Sequence, residues 1–447
     1  MRPGRGRASA GAILTVMPPA CTTPPEAARH SHLPTAARLA VALALAGVAA
    51  GLIGIAMAYL LEGFEWLFYG VAEGSLPERV ATAPAWRRVA APAAGGLLAG
   101  ALWWRERSTG GVVSVEQVVA DGGAPGPASP SGRMGVLRPF SDAVLQVLTV
   151  GAGNSVGREG APRLAAGAGA LRLATMLRVD RSWVPPLVAS AAGAGLAAMY
   201  NAPLGGAAYA VEIVMLTGMR RRGVLLAVPL SVLATVVSWW HSGGRASLAM
   251  PAAPLSAQTL LACLLAAPVA ALLGWFASRA WAWCKARRLP DTWSLPLAIG
   301  GAGLLTGTAS LWLAVLPGNG RDAFQGALDA PGGRAALVAL LGVVVLKPLL
   351  TGATLGAGAT GGLLAPSFSL GASGGAAVAV ALGLAGMSPS IPAAALVGAG
   401  VALAVTQRAP VFGAVFVWEL THGPLWVLPL LLVACWAAVR MIGRSRA

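Results

Sequence analysis

The sequence predicts an all-α polytopic membrane protein assembled from two related halves, with many tilted and broken helices. Three observations lead there. The chain is 56% hydrophobic and only 11% charged, with a mean hydropathy of +0.71, too apolar for a water-soluble domain. Uncharged runs of spanning or near-spanning length recur along almost all of its 447 residues, which argues for one integral unit rather than a chain of soluble domains. A segment near residue 200 also returns, recognisably, near residue 410. The 59 glycines and 32 prolines fit the same class, because close helix packing and broken helices are tolerated where the freed backbone faces protein or water.

Taken in order, residues 1–35 hold arginines, prolines and threonines with a single five-residue apolar patch, ILTVM. They lack a signal-peptide core and are expected to form a disordered cytoplasmic arm. Leu39 to Leu61 gives 23 consecutive uncharged residues, a spanning helix with some tilt. Further runs lie between Arg88 and Arg105, and over 139–157, 182–219, 223–240, 255–278, 295–320 and 335–346. Residues 121–138 read as a polar linker. From Pro348 to Gln407, 60 residues contain no acidic, basic or histidine side chain yet carry Pro366, Pro389 and Pro392. No bilayer holds one helix of that length, so several short or re-entrant segments are expected. A final span, Gly423 to Val439, runs into a basic tail at 441–447.

The formal net charge is +16, and among 32 basic residues only Lys285 and Lys347 are lysines. The charge is dispersed between apolar runs, which argues against a nucleic-acid partner and for cytoplasmic loop bias. The clusters at 220–222, 285–288 and the C-terminus are then cytoplasmic, the 241–254 loop lies outside, and both termini face inward. Cys21, Cys263, Cys284 and Cys435 have neither metal nor redox spacing. The histidines at 30, 32, 241 and 422 are equally scattered, so neither a metal nor another cofactor is expected.

The repeat defines the architecture. NAPLGGAAYAVE at 201–212 matches RAPVFGAVFVWE at 408–419, with Ala-Pro, Gly, Ala and a terminal Glu in register. GREGAP at 157–162 answers GGLLAP at 361–366 in the same order. The halves are placed at 36–245 and 246–440. Such repeats mark transporters whose substrate site lies at the repeat interface.

The pair Arg158 and Glu159 stands out, since each intramembrane charge costs roughly 2.5–3.5 kcal/mol on insertion scales. Glycines at 151, 153, 157 and 160 uncover backbone N–H groups, and a helix starting near Gly160 aims its positive end at the same point. This is an anion site built from backbone. Glu159, itself an anion, can occupy it and leave on protonation, as gate or proton carrier, while Arg158 keeps the local potential positive. An Arg-Glu pair stitching two helices is the plain alternative. In the second half, Gly362, Leu363 and Leu364 precede another helix start and can present amides to the same place, or simply allow close packing. Glu212 and Glu419 end the repeated segments. For Glu212, a salt bridge to the 220–222 arginines and a proton-path role both stay open. A membrane-embedded enzyme using Glu159 or Glu419 as acid/base would need a nucleophile, metal cluster or paired carboxylates that are not found.

These residues resemble the CLC chloride channels and proton/chloride antiporters of the prokaryotic type. GREGAP is similar to that family's GREGP motif, GGLLAP to its GxFxP motif, and NAPLGG to the start of the helix following GREGP, over about residues 36–440. The resemblance implies a homodimer in a bacterial membrane, with one chloride pathway per subunit built from two inverted halves. Glu159 becomes the external gating glutamate, and the amides of Leu363 and Leu364 the ligands of the central anion. It further implies no nucleotide-binding cytoplasmic domain. Departures bear on mechanism. The family's GSGIP serine falls at Val112 in GGVVSVEQ unless Ser114 substitutes, and the internal proton-relay glutamate falls at Ile213. The pore tyrosine would lie beyond Ala447, and Ala161 replaces the usual proline. With Ile213 unable to carry a proton, passive or weakly coupled conduction is expected over antiport, unless Glu212 or water supplies a route.

Overall fold

A computed structural model describes residues 35–70, 74–123 and 126–444. The expected N-terminal arm, with Cys21, His30 and His32, lies outside the described residues, except for Thr35. There the first helix, α1 (Thr35–Tyr69), begins; it is followed by α2 (Leu76–Thr82), α3 (Ala85–Ser108), α4 (Val115–Ala120), α5 (Pro130–Arg133) and α6 (Leu137–Gly151). Next come α7 (Gly160–Met176), α8 (Val184–Tyr200), α9 (Pro203–Tyr209), α10 (Arg220–Ser242) and α11 (Ala257–Ala286). The remainder comprises α12 (Leu295–Ala309), α13 (Arg321–Leu328), α14 (Arg334–Gly356), α15 (Leu364–Leu384), α16 (Ile391–Gln407), α17 (Pro410–Thr421) and α18 (Val427–Arg444). Among the described residues the fold is all-α, and six helical stretches are long and apolar enough to cross a membrane.

Lengths vary for physical reasons. The 35 residues of α1 reach about 50 Å, well past a hydrocarbon core of about 30 Å, and so demand tilt. The 17 residues of α7 reach only about 25 Å and cannot cross alone. Helices of that sort hide their ends in protein, and α16 is buried from Ala393 to Val405. It packs on α15 through Gly371 and Gly398, where a methyl on either would run into the other's carbonyl. Large apolar side chains such as Leu52, Leu264, Leu272, Val345 and Leu349 stay exposed, as lipid-facing surface requires.

Several boundaries differ from the sequence reading. The 182–219 run is cut at Asn201, whose left-handed backbone (φ 51°) ends α8 before Pro203 opens α9. The end of α9 widens into a π turn at Ala210–Val214, closed by Met215 N donating to Ala210 O at 2.9 Å. The 295–320 run is helical only to Ala309, because Pro317, Gly318 and Gly320 favour the loop that follows. Conversely, Lys347 does not end its helix. Fully buried, its Nζ donates to Leu316 O at 2.6 Å and Gly318 O at 2.7 Å, so α14 continues through Pro348 to Gly356. The linker at 121–138 contains α5, capped by Ser129, and the start of α6. The tail read at 441–447 begins as the last turn of α18, its final three residues lying outside the described set. The uncharged stretch 348–407 resolves into the end of α14 plus α15 and α16, as its prolines led one to expect.

The two copies of the repeated segment take the same path. Arg408 is left-handed (φ 56°) like Asn201, Ala409 and Ala202 share φ near −133° and −132°, and Pro410 opens α17 as Pro203 opens α9. Each copy then reaches across to the other. Glu212 accepts from Phe412 N at 2.7 Å and Val411 N at 3.4 Å, and Glu419 accepts from Gly205 N at 2.6 Å and Leu204 N at 3.1 Å. Each carboxylate thus satisfies orphan amides at the partner helix's start.

Candidate functional site

The GAGNSVG loop between α6 and α7 is fastened on every side. Tyr69 Oη donates to Ala152 O at 3.1 Å, Gly318 N to Gly153 O at 3.1 Å, and Asn154 Nδ2 to Pro92 O at 2.8 Å. The Ser155 and Thr351 hydroxyls lie 3.1 Å apart. Gly153 adopts φ 103°, open to glycine alone at little cost. The loop ends in a two-residue antiparallel bridge to the other motif: Gly157 N donates to Gly362 O at 2.9 Å, and Gly362 N to Gly157 O at 2.7 Å. The starts of α7 and α15 are thereby clamped together.

Glu159, fully buried, sits on this clamp. Its Oε1 accepts from Ala365 N at 2.7 Å and from Tyr200 Oη at 3.4 Å. Among the described residues its Oε2 has no hydrogen-bond partner; it rests over Gly157 and Gly362, where a methyl on either glycine would strike it. Both motif glycines therefore make room for the carboxylate. The amide that meets it belongs to Ala365, in the first turn of α15, rather than to Leu363 or Leu364. Those two stand just before it, Leu363 at the cap and Leu364 buried.

The three consecutive residues 158, 159 and 160 separate two vestibules. Arg158 lines one, together with Glu62, Glu65, Arg79, Arg245 and Arg321; its guanidinium lies 5.7 Å from the centre of the Tyr200 ring. At this vestibule's rim, the Ser75 amide and hydroxyl hold the Glu78 carboxyl below the usual carboxylate range. Gly160 lines the other, with Val112, Ser114, Gln146, Arg163 and Gly361. Val112 offers only methyl groups there, while the Ser114 hydroxyl, also on the wall, caps α4 by accepting from Gln117 N at 3.2 Å.

So Arg158, Glu159, Gly160, Gly362, Leu363 and Leu364 converge, and Val112 faces the vestibule leading to them. Glu212 does not join this group: its half-buried carboxylate is taken up by backbone amides at the start of α17. Arg163 was missed. Its Nε donates to Glu159 O at 2.9 Å, its guanidinium bonds the Tyr209 hydroxyl, and it lines the vestibule below Gly160. The signal existed, for Arg163 is a third charge within one turn of Glu159 in an apolar run. Tyr200 and Gln146 gave no such signal.

Fold and site together define a multi-pass membrane protein with a buried carboxylate, bonded to one backbone amide, between two vestibules. The chain belongs to the voltage gated chloride channel family, whose model matches residues 93–441; this is a family of anion-transporting membrane proteins, not of enzymes. It is 30% identical over 419 residues to the voltage-gated ClC-type chloride channel ClcB of Salmonella typhimurium, covering 88% of this chain and 92% of that one. It is 34% identical over 414 residues to a ClcB-like protein of Ralstonia nicotianae, covering 88% and 90%. Among solved structures, a slow cyanobacterial Cl−/H+ antiporter superposes with a TM-score of 0.74 at 21% identity, over 91% of this chain and 95% of that one. A CLC-type fluoride/proton antiporter gives 0.68 at 18% identity, over 90% and 95%.

Proposed function

We propose that this chain carries chloride or a similar small anion between the two vestibules, with the Glu159 carboxylate as the gate. One observation carries the reading: a carboxylate fills the space between the starts of α7 and α15, bonded to an amide and cradled by two glycines. An anion of chloride's size makes the same bonds with N–H groups, so carboxylate and ion compete for one place. Neutralising the carboxylate by a proton, or displacing it, opens the path. Arg158 supplies positive potential on one side. Gly160, Gly362, Leu363 and Leu364 supply backbone dipoles, and Val112 narrows the other mouth without adding a ligand.

The Arg158 vestibule is assigned to the exterior and the Gly160 vestibule to the cytoplasm, with both termini cytoplasmic in a bacterial inner membrane. Residues 36–245 and 246–440 are read as inverted copies, a reading supported by the reciprocal capping of α9 and α17. The exposed apolar residues Leu204, Val411, Val433 and Trp436 support a homodimer with one path per subunit.

Ile213 holds no proton and Glu212 serves as a cap, which favours passive or weakly coupled conduction. Proton-coupled exchange is the second reading, favoured by the buried Asp142 carboxylate beside the cytoplasmic vestibule and by the two superposable structures being those of antiporters. Chloride efflux from liposomes reconstituted with purified protein, with pH recorded simultaneously, separates them. Uphill proton movement driven by a chloride gradient establishes exchange, and its absence establishes passive flow. Efflux left unchanged by Glu159→Gln would sink the gate itself.

A further inference from the structure

The gate leaves one buried pair unused. Asp142 and Gln146 stand one turn apart on α6, 4% and 2% exposed, on the wall of the vestibule below Gly160. Asp142 Oδ1 accepts from Trp103 Nε1 at 2.8 Å, and Oδ2 accepts from Gln146 Nε2 at 2.7 Å. That arrangement spends the Gln146 amide group on the carboxylate and leaves Gln146 Oε1 buried with no partner among the described residues. The orphaned oxygen lies against Gly160, where an added methyl would strike it. An acceptor held beside the first residue of α7 repels an anion arriving there.

The arrangement follows from the charge state of Asp142. A carboxylate only accepts, so it draws the Gln146 NH2 towards itself. A protonated Asp142 donates through Oδ2, and the bond is kept by turning the carboxamide half a revolution, so that Oε1 meets the acid and Nε2 faces Gly160. The two orientations have nearly the same shape. We infer that Gln146 is an anion ligand at the cytoplasmic mouth of α7, offered to a chloride ion when Asp142 is protonated and withdrawn when it is ionised. This rests on the reading of the Glu159 segment as an anion path.

Other charged groups face the same space. Helix α3 brings Glu106 and Arg107, α4 brings Glu116, α7 brings Arg163, and the loop after α11 brings Arg288 and Asp291. From α1, also packed on α6, Glu62 and Glu65 face the opposite vestibule. Arg107 is committed to Asp291 at 2.7 Å and to Gly358 O at 3.0 Å. Among the described residues only the Asp142 carboxylate bonds directly to the Gln146 amide. Linkage then makes the effect mutual: a proton on Asp142 favours the anion by the factor with which the anion favours the proton.

The test is chloride binding by calorimetry to the purified full chain in detergent, in a Glu159→Gln background so that the gate contributes no titration. In that background affinity should be about tenfold higher at acidic than at neutral pH, the worth of one hydrogen bond to an ion. Adding Asp142→Asn, whose amide donates permanently to Gln146 Oε1, should fix the tight affinity at both pH values. Adding Gln146→Met should fix the weak one. Opposite displacements from two neighbouring substitutions are not produced by a merely structural role. Affinity independent of pH in Glu159→Gln alone overturns the inference even if neither double variant folds, and so does a matching loss in both. Absence of chloride binding in every variant overturns the anion path as well, whereas pH-independent binding leaves the path standing.

Discussion

Gly362→Ala places a methyl where Glu159 Oε2 now lies and tests the plug without changing any charge. The three atoms nearest the added carbon all belong to the Glu159 side chain, and Gly362 is not among the residues with positive φ, so alanine fits its backbone. The carboxylate must move out and surrender the 2.7 Å bond from Ala365 N. A hydrogen bond to an ionised group contributes about 1.5–3 kcal/mol. At 1.4 kcal/mol per factor of ten, the plugged population falls about 10- to 100-fold. Chloride efflux from liposomes at neutral pH should therefore rise towards the rate of Glu159→Ala, and Gly362→Ala should add nothing once Glu159 is already alanine. Efflux that is unchanged, or that drops equally with and without the Glu159 carboxylate, would refute the reasoning, because the methyl would then act on something other than the plug.

Wild-type efflux should rise as pH falls, since the ionised carboxylate blocks and the protonated one releases; Glu159→Ala should give fast efflux that is flat with pH. Removing either trans cap, Glu419→Ala at α9 or Glu212→Ala at α17, should lower stability by about 1–2 kcal/mol, read as a lower midpoint of thermal unfolding in detergent. If Glu212 were instead a proton relay, Glu212→Gln would abolish proton movement while sparing the midpoint. Lys347→Met strands the Leu316 and Gly318 carbonyls in the interior, and should cost about 2–4 kcal/mol; an unaltered unfolding midpoint would show that water replaces the ammonium.

The membrane class, the helical content and the meeting of GREGAP with GGLLAP were legible because apolar runs, glycines and an uncompensated charge pair leave strong marks on sequence. What stayed hidden depends on partners distant in the chain. Lys347 looks like the end of a span until the carbonyls of Leu316 and Gly318 are seen beside it. Asn201 looks like the middle of a run until its left-handed turn is seen, although the Asn-Ala-Pro order hinted at a break. Ala365 rather than Leu363 or Leu364 takes the carboxylate because the Gly157–Gly362 bridge sets the register of the approach, which spacing cannot give. Glu212 and Glu419 were flagged by the repeat itself, yet their crossed attachment could be seen only once both helix starts lay side by side.

That crossed attachment has a bearing on biogenesis. Glu419 lies 215 positions downstream of Leu204, so when α9 leaves the ribosome the acid that completes its first turn does not yet exist. At synthesis rates of about 5–20 residues per second the wait is roughly ten to forty seconds. Through that interval the nascent first half carries bare amides that water, lipid headgroups or the insertion machinery must shelter, and it can settle only when the last helices arrive.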